Sequence, residues 1–475
     1  MKLYKLLKDI NCRTIGNLSI DITGLYHKDT EVKEGGLFFC LRGTRVDGMS
    51  FVLSAIKNGA VAIVVEQELP GLFGITQIIT KNSREAMSLI SSKFFGSPAD
   101  KLKIIGVTGT NGKTTTVSFL SQIFETAGKK TAIIGTNGVF FGGARYETGM
   151  TTPDPIELHK FFDLMVKAHV EFVFMEVSAH AIDLKKICGI NFEIVVFTNL
   201  TEDHLDYFPS IEKYFETKRS LFSKAHAKFA ILNADDEFGK RIISSINMPF
   251  LTYAITEKAT VKCDELVSEL NFQKFKINNE EFTLNIAGRF NVFNCLAAIS
   301  VAKVLGISYE TIKKALLSLK SVDGRFNTKV VLGVLVIIDY AHTPDGLSNI
   351  LSAARELSNG KVISVFGCGG NREVQKRKIM GEISSKLANF TIITSDNPRF
   401  ESRLKIAKDI ESGILNSNYI IELDRSKAIK KAISIAEKGD VVVIAGKGAE
   451  TYIDENGIKI PYSDYDEIKK IEGEK

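Results

Sequence analysis

The chain has 475 residues, of which 44% are hydrophobic and 25% charged, and its formal net charge is +5. This composition is typical of a globular protein of about three domains, at about 150 residues each, and it excludes a disordered or fibrous chain. A charge this small, with no long basic block, gives little reason to expect nucleic-acid binding.

The cysteines are scattered and include no C-x-x-C pair; they are Cys12, Cys40, Cys188, Cys263, Cys295 and Cys368. Reduced thiols fit this spacing better than a zinc site or a disulfide framework. Lysines at positions 2, 5 and 8 interrupt the first ten residues, unlike a signal peptide, and the longest apolar run, Val330–Ile338, is too short to cross a bilayer. We therefore expect a cytoplasmic protein that does not bind membranes.

The first hundred residues are predicted to form a small N-terminal α/β domain over 1–100. They contain a β-rich run at 37–41, a helical stretch at 51–58 and the strand Ala60–Val65. The sequence Gly96-Ser97-Pro98 then marks a break in regular structure.

Two series of apolar runs alternating with helical periodicity follow. The first begins at Lys103 and predicts a central domain over 101–327, built on a parallel sheet covered by helices. The second begins at Val334 and predicts a doubly wound, Rossmann-like domain over 328–475, ending in a frayed tail. The predicted fold class is therefore α/β with three domains.

A glycine-rich turn lies between the strand at 104–107 and a helix that begins at Lys113. Its sequence, T-G-T-N-G-K-T-T-T over 108–116, can direct backbone N–H groups at phosphate oxygens, with Lys113 reaching the β- and γ-phosphates and Thr114 binding Mg²⁺. The usual G-x-x-x-x-G-K-[ST] spacing fails, because Val107 stands in place of the first glycine. We still predict an ATP site, made by Gly109, Thr110, Asn111, Gly112, Lys113, Thr114 and Thr115.

A second candidate loop has the sequence TSDNPRFE, residues 394–401, directly after a β-rich run. Asp-Asn-Pro is turn chemistry, so Arg399 is predicted to lie on a loop at the carboxyl end of a strand. Such loops bind ligands in open α/β sheets, and a guanidinium suits a carboxylate or phosphate. The competing interpretation is a solvated surface arginine, and this stretch alone does not decide between the two.

The stretch GVTGTNGKTT, residues 106–115, resembles the Mur ligase family, the ATP-dependent amide-forming enzymes of peptidoglycan precursor synthesis. The resemblance extends in order over essentially the whole chain. Further matching motifs are MEVSAH from Met175, TNLTEDHLD from Thr198, YFETK from Tyr214, GRFNVFN from Gly288, Gly324-Arg325 and DYAHTP from Asp339.

The resemblance implies catalytic roles for Lys113, Glu176, His204 and Lys218. It implies two Mg²⁺ ions, held by Thr114, Glu176, His204 and Lys218, with Lys218 carbamylated so that its cation becomes an anion. From the residues alone, Glu176 could instead be a capping carboxylate, His204 a structural histidine and Lys218 a solvated or paired lysine.

The nucleotide contacts implied by the resemblance come from three places in the chain. Asn291 would contact the adenine, although its position in a Gly-x-Phe-Asn turn also fits helix capping. Arg325 and Asp339 would contact the γ-phosphate and the ribose. A site drawn from two domains would be completed by domain closure, which also excludes water.

The Thr151-Thr152-Pro153 sequence and Ser178 match the tripeptide-forming branch of the family, in which they contact a UDP-N-acetylmuramoyl dipeptide. Thr30 and the stretch 43–48 (GTRVDG) match its uridine-binding region. Lys186 stands where the branch has an arginine facing the substrate carboxylate, so the bidentate fork is lost although the charge is kept. Met150 is a second departure, where an Asn often precedes Thr-Thr-Pro.

The incoming amino acid should be recognised by the third domain. Asp396, Asn397 and Arg399 match the D-N-P-R motif of diaminopimelate-adding members, in which the arginine binds the distal carboxylate; Arg377, Gly446 and Glu450 match further contacts. Ala449 replaces the histidine of the family's G-K-G-H-E. A diaminopimelate analogue such as the thioether lanthionine therefore stays open.

We predict a monomeric ligase that adds a diaminopimelate-type amino acid to UDP-N-acetylmuramoyl-L-Ala-D-Glu, using ATP and Mg²⁺. The alternative within the family is lysine addition. A P-loop NTPase driving motion or transport is a rival from another class, but no clear Walker B segment supports it. A nucleotide-sugar sensor would not need Lys113, Glu176, His204 and Lys218 together.

Overall fold

The structure is a computed structural model that describes residues 1–43, 47–269 and 272–473. Its N-terminal sheet has the strand order β1-β5-β4-β3-β2, with β1 antiparallel to β5 and the other pairs parallel. The strands are β1 Cys12–Ile15, β2 Gly24–Tyr26, β3 Gly36–Phe39, β4 Ala60–Val65 and β5 Thr76–Thr80. The helices are α1 Leu3–Leu6, α2 Val52–Lys57 and α3 Ser83–Phe94. The predicted helix at 51–58 and the strand at 60–65 are confirmed.

The central sheet has nine strands among the described residues, in the order β14-β13-β12-β11-β6-β10-β7-β8-β9. The strands are β6 Lys103–Thr108, β7 Thr131–Gly135, β8 Gly138–Phe141, β9 Ala144–Tyr146, β10 Phe172–Glu176, β11 Phe192–Phe197, β12 Ala227–Asn233, β13 Phe250–Ala254 and β14 Val261–Lys262. The helices are α4 Lys113–Thr126, α5 Pro155–Lys167, α6 Ala179–Asp183, α7 Ile211–Arg219 and α8 Glu237–Ser245.

The prediction of a parallel central sheet is correct for seven strands and wrong for β8 and β9, which pair antiparallel at the edge. The reason is local, because β7 and β8 are separated only by Thr136 and Asn137, and so short a link permits a hairpin but no helical crossover. The sheet is covered on both faces, by two separate apolar clusters, as its continuous apolar strands require.

A small antiparallel sheet follows that the sequence analysis did not predict. Its strands are β15 Asp264–Ser268, β16 Gln273–Ile277 and β17 Glu280–Leu284, in sequential order. In β16 buried and less buried residues alternate, and Phe275 and Ile277 join the core around the helices α9 Arg289–Val304 and α10 Tyr309–Ser318. A period of two over only five residues is a weak signal in sequence.

The C-terminal sheet has the order β18-β19-β23-β20-β21-β22, parallel except for β18. Its strands are β18 Asn327–Val331, β19 Val334–Asp339, β20 Val362–Phe366, β21 Phe390–Ile393, β22 Tyr419–Ile421 and β23 Val441–Ala445, and a hairpin of β24 Tyr452–Glu455 and β25 Ile458–Pro461 follows. The helices are α11 Pro344–Leu357, α12 Gln375–Leu387, α13 Arg403–Glu411, α14 Arg425–Ile435 and α15 Asp464–Gly473.

Two expectations for this region need correction. The apolar run 330–338 is a hairpin rather than one segment, because Leu332 and Gly333 take positive φ angles and turn the chain between β18 and β19. The tail is not frayed over 467–473: it forms most of α15, whose Ile468 is buried in the apolar cluster beneath β23.

The three-domain α/β fold is confirmed, whereas the predicted boundaries at 100 and 327 stay predictions. Carboxyl ends of parallel strands carry the loops that bind ligands in such sheets. In the described residues, the loops that follow β6, β19, β21 and β23 all line one cavity. No helix in the described part of the chain is both long and apolar enough to cross a membrane.

Candidate functional site

The candidate site is a cavity of about 690 Å³ between the central and C-terminal sheets. The central sheet contributes the glycine-rich loop, and the C-terminal sheet contributes the loops after β19, β21 and β23. Of the predicted site residues, those lining the cavity are Thr110, Asn111, Gly112, Lys113, Thr114, Thr115, Thr151, Glu176, Ser178, His204, Arg325, Asp339, Asp396, Asn397, Arg399, Gly446 and Glu450.

The glycine-rich loop is shaped by two glycines. Gly109 and Gly112 have φ angles of +151° and +86°, and a side chain on either would collide with Thr198 or Asn294. Helix α4 begins at Lys113 without a side-chain cap, and the residues of its first turn line the cavity. This is the arrangement in which a helix N-terminus binds phosphate.

Two lysines contact the same loop. Lys113 donates to the carbonyl oxygens of Gly109 and Thr110, at 3.0 and 2.8 Å, and the Nζ of Lys218 donates to Gly109 at 2.8 Å. Lys218 does not line the cavity; it lies behind the loop, 1% exposed, with Nζ 4.7 Å from the centre of the Tyr214 ring. Burial lowers the pKa of both lysines, and the charge of Lys113 lowers that of Lys218 further.

Glu176 ends β10 beside the glycine-rich loop and is almost fully buried. Its carboxylate accepts hydrogen bonds from the backbone N–H and the hydroxyl of Thr136, at 2.9 and 3.2 Å. The hydroxyls of Thr136 and Thr151 lie 3.1 Å apart. Glu176 is therefore held at the cavity wall, at the end of the strand that pairs with β6, and β6 leads into the loop before Lys113.

His204 follows β11 in a turn and has a positive φ angle of +58°. Its Nε2 lies 3.3 Å from a carboxylate oxygen of Asp203, whose other oxygen accepts the His204 backbone N–H at 2.9 Å. Burial lowers the pKa of His204 to about 3, although the Asp203 carboxylate opposes the shift. The neutral imidazole is the form that binds metals.

These residues fit a magnesium site only in part. Among the described residues, no group of three or more His, Cys, Asp or Glu side chains has the geometry of a metal site. Mg²⁺ commonly takes one or two protein carboxylates together with substrate phosphates, so Glu176 and the hydroxyl of Thr114 suit it. Lys218 as an ammonium would repel a cation and could bind one only as a carbamate.

The predicted adenine contact, Asn291, is buried in the first turn of α9 and does not line the cavity. The side-chain amide of Asn291 donates to the carbonyl oxygen of Ala287 at 2.8 Å. The side-chain amide of Asn294 donates to Oδ1 of Asn291 at 3.4 Å. Gly288 is the N-cap of α9, so the capping interpretation of Asn291 is wrong. The neighbouring Asn294 does line the cavity, against Gly112.

Arg325 and Asp339 connect the two halves of the site. Arg325 donates to the hydroxyl of Thr114 at 3.2 Å, and its guanidinium lies 4.5 Å from the centre of the Tyr340 ring. Asp339 accepts backbone N–H groups from Phe326 and Ala341, each at 2.7 Å. Burial raises the pKa of Asp339, while the nearby Arg325 opposes that shift.

The predicted dipeptide contacts lie at one end of the cavity. Thr151 and Ser178 line it, whereas Thr152 bonds to the Glu176 carbonyl oxygen at 2.9 Å behind the wall. Lys186 is buried too, and its Nζ forms a 2.9 Å ion pair with Asp154. Its charge is therefore already compensated within the protein.

The uridine prediction rests on the N-terminal sheet. Thr30 lies in a short 3₁₀ turn at Asp29–Glu31 and does not line the cavity. His27, close to it in sequence, lies 3.8 Å from Asp154, next to Lys186. Residues 44–46 of the predicted G-T-R-V-D-G region lie outside the described residues.

Arg399 lines the opposite wall, on the loop after β21, with a positive φ of +50°. Its Nη1 donates to the Gly370 carbonyl oxygen at 2.7 Å, and Nε lies 3.7 Å from Asp454. The side chain is 26% exposed. It is neither a solvated surface arginine nor fully paired, so part of its donor set remains available to a ligand.

The neighbouring loops are joined by buried polar bonds. Asn397 donates to Glu450 at 2.9 Å and accepts from Lys447 at 3.0 Å, while Lys447 also contacts Glu450 at 3.0 Å. Asp396 accepts the backbone N–H of Asn397 at 2.6 Å, and its carboxylate faces Gly446. The loops after β21 and β23 thus form one unit.

Arg377 occupies a different position from the one expected of a direct contact. It is fully buried outside the cavity lining. Its guanidinium binds Glu401 at 2.9 and 3.0 Å, Asp409 at 2.8 Å and the Gly369 carbonyl oxygen at 3.3 Å. In this geometry Arg377 supports the loop that lines the cavity through Gly369.

Sequence reasoning did not single out several cavity residues, including Thr136, Asn199, Asp203, His342, Asp345 and Lys376. Asn199 binds the backbone of Asn111 at 2.9 Å, and Asn111 donates to Asp345 across the cavity at 2.7 Å. Asn199 and Asp203 lie inside TNLTEDHLD, and His342 lies inside DYAHTP. For Asn199, Asp203 and His342, the matched motifs were therefore the sequence signal that could have identified them.

Three family models match the chain. They are the Mur ligase middle domain over residues 107–302, the Mur ligase glutamate ligase domain over 324–448, and the Mur ligase family catalytic domain over 21–91. Along the chain, the matches follow the order of the N-terminal, central and C-terminal sheets.

Similar proteins cover nearly the whole chain. A protein of Clostridium acetobutylicum named UDP-N-acetylmuramoyl-L-alanyl-D-glutamate--2,6-diaminopimelate ligase 1 is 42% identical over 462 residues, 95% of each chain. An Aquifex aeolicus protein named as the same ligase is 42% identical over 463 residues, covering 95% of this chain and 94% of its own.

Solved structures of similar proteins also cover nearly the whole chain. A structure of UDP-N-acetylmuramoyl-L-alanyl-D-glutamate--2,6-diaminopimelate ligase superposes with a TM-score of 0.70 at 29% identity, covering 99% of both chains. MurF from Acinetobacter baumannii superposes with a TM-score of 0.68 at 18% identity, covering 100% of this chain and 99% of its own. The second likeness shows the fold alone.

Proposed function

This chain belongs to the Mur ligase family, and from that premise we propose that it joins meso-diaminopimelate, or a close analogue, to UDP-N-acetylmuramoyl-L-Ala-D-Glu. The reaction consumes ATP and forms an amide at the D-Glu γ-carboxylate. The protein acts as a monomer in the cytoplasm on small molecules. The domain over residues 1–100 binds the nucleotide-sugar, the domain over 101–327 binds ATP, and the domain over 328–475 binds the amino acid.

One observation carries this proposal: a phosphate-binding loop and a carboxylate-reading loop line the same cavity. Lys113 and the N-terminus of α4 form one wall, and Arg399 lies on the other. A ligase needs this pairing, because it must hold a phosphoryl donor and an amine nucleophile together.

In the first step, a γ-carboxylate oxygen of D-Glu attacks the γ-phosphorus of ATP. The bond from that phosphorus to the β,γ-bridging oxygen breaks, and ADP leaves with the bond's electrons. Lys113, Arg325 and the amides at the start of α4 lie where they would stabilise the charge on the transferring phosphoryl. The product is an acyl phosphate.

In the second step, the neutral amine of the incoming amino acid attacks the acyl carbon. The carbon–oxygen bond to phosphate then breaks, inorganic phosphate leaves, and the nitrogen loses a proton to give the amide. Arg399 binds the distal carboxylate, while Asn397 and Glu450 fix the loop around the amine end. Ala449 leaves more room there than the histidine of related sequences, which keeps lanthionine open as the acceptor.

Lys218 and the metal donors complete the proposal. Burial favours the neutral amine of Lys218, and a neutral amine can add CO₂, releasing a proton and forming a carbamate. Thr114, Glu176, His204 and carbamylated Lys218 would then hold two Mg²⁺ ions. Bound Mg²⁺ would neutralise phosphate charge during the transfer.

The activity test mixes UDP-N-acetylmuramoyl-L-Ala-D-Glu, ATP and Mg²⁺ with diaminopimelate, lanthionine or lysine. We expect ADP release and an amide product with diaminopimelate or lanthionine, and far less with lysine. The amide product is identified by mass, so that ATP hydrolysis alone does not count. Absence of ADP release with all three amino acids would overturn the proposal.

The variant Arg399→Ala tests the assignment of the acceptor. It removes a charge-assisted hydrogen bond to the distal carboxylate, so kcat/KM for diaminopimelate should fall by about 10- to 100-fold. Use of lysine, which has no such carboxylate, should barely change. The matched control is Arg403→Ala on the adjacent helix, whose guanidinium binds Glu455 rather than lining the cavity. Equal losses for both amino acids would refute the assignment.

A further inference from the structure

Lys376 is a cavity residue that none of the roles above uses. It lies in the first turn of α12, on the C-terminal side of the site. The residue is only 8% exposed, and it nevertheless lines the cavity. Burying a lysine is costly unless a partner compensates its charge, so the surroundings of its ammonium group decide what it does.

Among the described residues, the ammonium of Lys376 has no hydrogen-bond partner within 3.5 Å and no carboxylate within 4 Å, although its charge acts at longer range on the carboxylates of Glu373 and Asp203. The adjacent Arg377 shows the contrast, since its two terminal nitrogens bind the carboxylates of Glu401 and Asp409. Lys113 and Arg399 each donate to backbone carbonyl oxygens. Lys376 is thus a buried cation at the cavity whose hydrogen-bonding capacity is unused.

Lys376 lines the same cavity as the glycine-rich loop and has charged neighbours from both domains. Burial lowers the pKa of His342 to about 4, and the charge of Lys376 adds to that shift. The charge of Lys376 also acts on the carboxylate of Asp203, which lines the same cavity. Lys376 of the C-terminal domain therefore lies near the central domain at the edge formed by Asp203 and His204.

We propose that Lys376 is a further catalytic residue, whose ammonium contacts the non-bridging oxygens of the transferring phosphoryl and of the acyl phosphate it forms. This inference rests on the proposed function. Lys113 would bind the phosphoryl from the central domain and Lys376 from the C-terminal domain. Negative charge on these oxygens must be stabilised when ADP leaves and again when phosphate leaves, and a preorganised cation in the cavity wall does so effectively.

The assignment makes phosphoryl transfer depend on the C-terminal domain before any amino acid binds. A residue that only read the amino acid would leave acyl phosphate formation unchanged. The two steps can be separated, because ATP and the UDP-dipeptide alone suffice for the first one. The first step is therefore the one in which the role of Lys376 is measured.

The experiment is a rapid-quench measurement of ADP formation from ATP and the UDP-dipeptide, without amino acid, for the full-length chain. Lys376→Met should slow this step by about a hundredfold, the effect typical of removing one preorganised donor. Lys376→Arg keeps the charge, so its rate of ADP formation should be at least about ten times that of Lys376→Met. Lys378→Met, an exposed lysine two residues further along α12, should match wild type.

Steady-state kinetics complete the test. For Lys376→Met, we expect kcat to fall while KM for diaminopimelate stays within about twofold of wild type. An unchanged rate of ADP formation, or a loss confined to KM for the amino acid, would overturn the inference. A loss that Lys376→Arg shares in full would also overturn it, because a charge role predicts rescue. If wild type itself releases no ADP in any mixture, the proposed function fails instead.

Discussion

The cation at the glycine-rich loop and the arginines buried beneath the C-terminal wall are held in opposite ways. On the central wall, Lys113 donates to two backbone carbonyl oxygens of the glycine-rich loop. Beneath the C-terminal wall, Arg377 and Arg425 bind carboxylates, and the pair of Arg425 with Asp464 is almost wholly buried, at 2.7 and 2.8 Å. The first arrangement leaves positive charge uncompensated, whereas the second neutralises it.

A cation without a carboxylate partner can bind an anionic ligand, whereas a cation paired with a carboxylate supports the structure. A carbonyl oxygen satisfies hydrogen bonds but carries no net charge, so a buried lysine beside it still attracts an anion. A carboxylate cancels the charge and fixes geometry instead. Arg425 shows this use, because it also donates to the carbonyl oxygens of Ser395 and Ala445, directly before the loops that carry Asp396 and Gly446.

The largest expected effect comes from removing an uncompensated cation on the central wall. Lys113→Met should lower kcat by at least about a thousandfold, because it deletes charge stabilisation from the transferring phosphoryl. The measurement is ADP release at saturating substrates, and the melting temperature should hardly change. Lys129→Met, which removes an exposed lysine paired with Glu171, is the control. A kcat for Lys113→Met within tenfold of the wild-type value would contradict this role of the uncompensated cation.

A compensated cation should instead show its effect in stability. Arg425→Met leaves Asp464 buried without its partner and should cost about 3–5 kcal/mol of unfolding free energy. Hydrogen exchange of the β23 amides would measure the loss locally. Replacing both members, Arg425→Met with Asp464→Leu, should recover most of it, because no unpaired charge then remains. Arg403→Met, at a half-exposed pair with Glu455, should cost under about 1 kcal/mol.

The smallest effect concerns His159, a fully buried histidine in the central region. Neither of its ring nitrogens has a partner among the described residues, and burial lowers its pKa to about 4. The unfolded chain binds a proton near pH 6.5, so the folded state should lose stability as pH falls from about 6.5 to 4, by about 3 kcal/mol. Above pH 6.5 this contribution is constant.

Urea unfolding at pH 7 and pH 4.5 would measure this loss. His159→Phe, which keeps an aromatic ring beside Phe162, should remove that part of the pH dependence. If the variant and wild type lose equal stability on acidification, His159 is not the titrating group. His169→Asn is the control, since His169 lies in the turn after α5 and is not buried, and asparagine tolerates the positive φ angle at this position.

Much of the fold and of the central wall was predictable from sequence. Strand, glycine-rich turn and helix are contiguous around Lys113, and their local chemistry requires no distant residue. The same holds for Arg399, whose Asp-Asn-Pro turn is local. Strands β8 and β9 and the sheet β15–β17 were missed, because short antiparallel strands carry little periodic signal and their partners decide their pairing.

By itself, then, the sequence determined the α/β architecture, the two binding loops and the residues within each motif. Tertiary structure alone decided which cations form close ion pairs and which do not. Lys376 and Arg377 are neighbours in sequence, yet only Arg377 meets Glu401 and Asp409, which come from a later loop and helix. The free energy of a buried charge depends on the groups that folding places around it, and adjacency along the chain does not specify them.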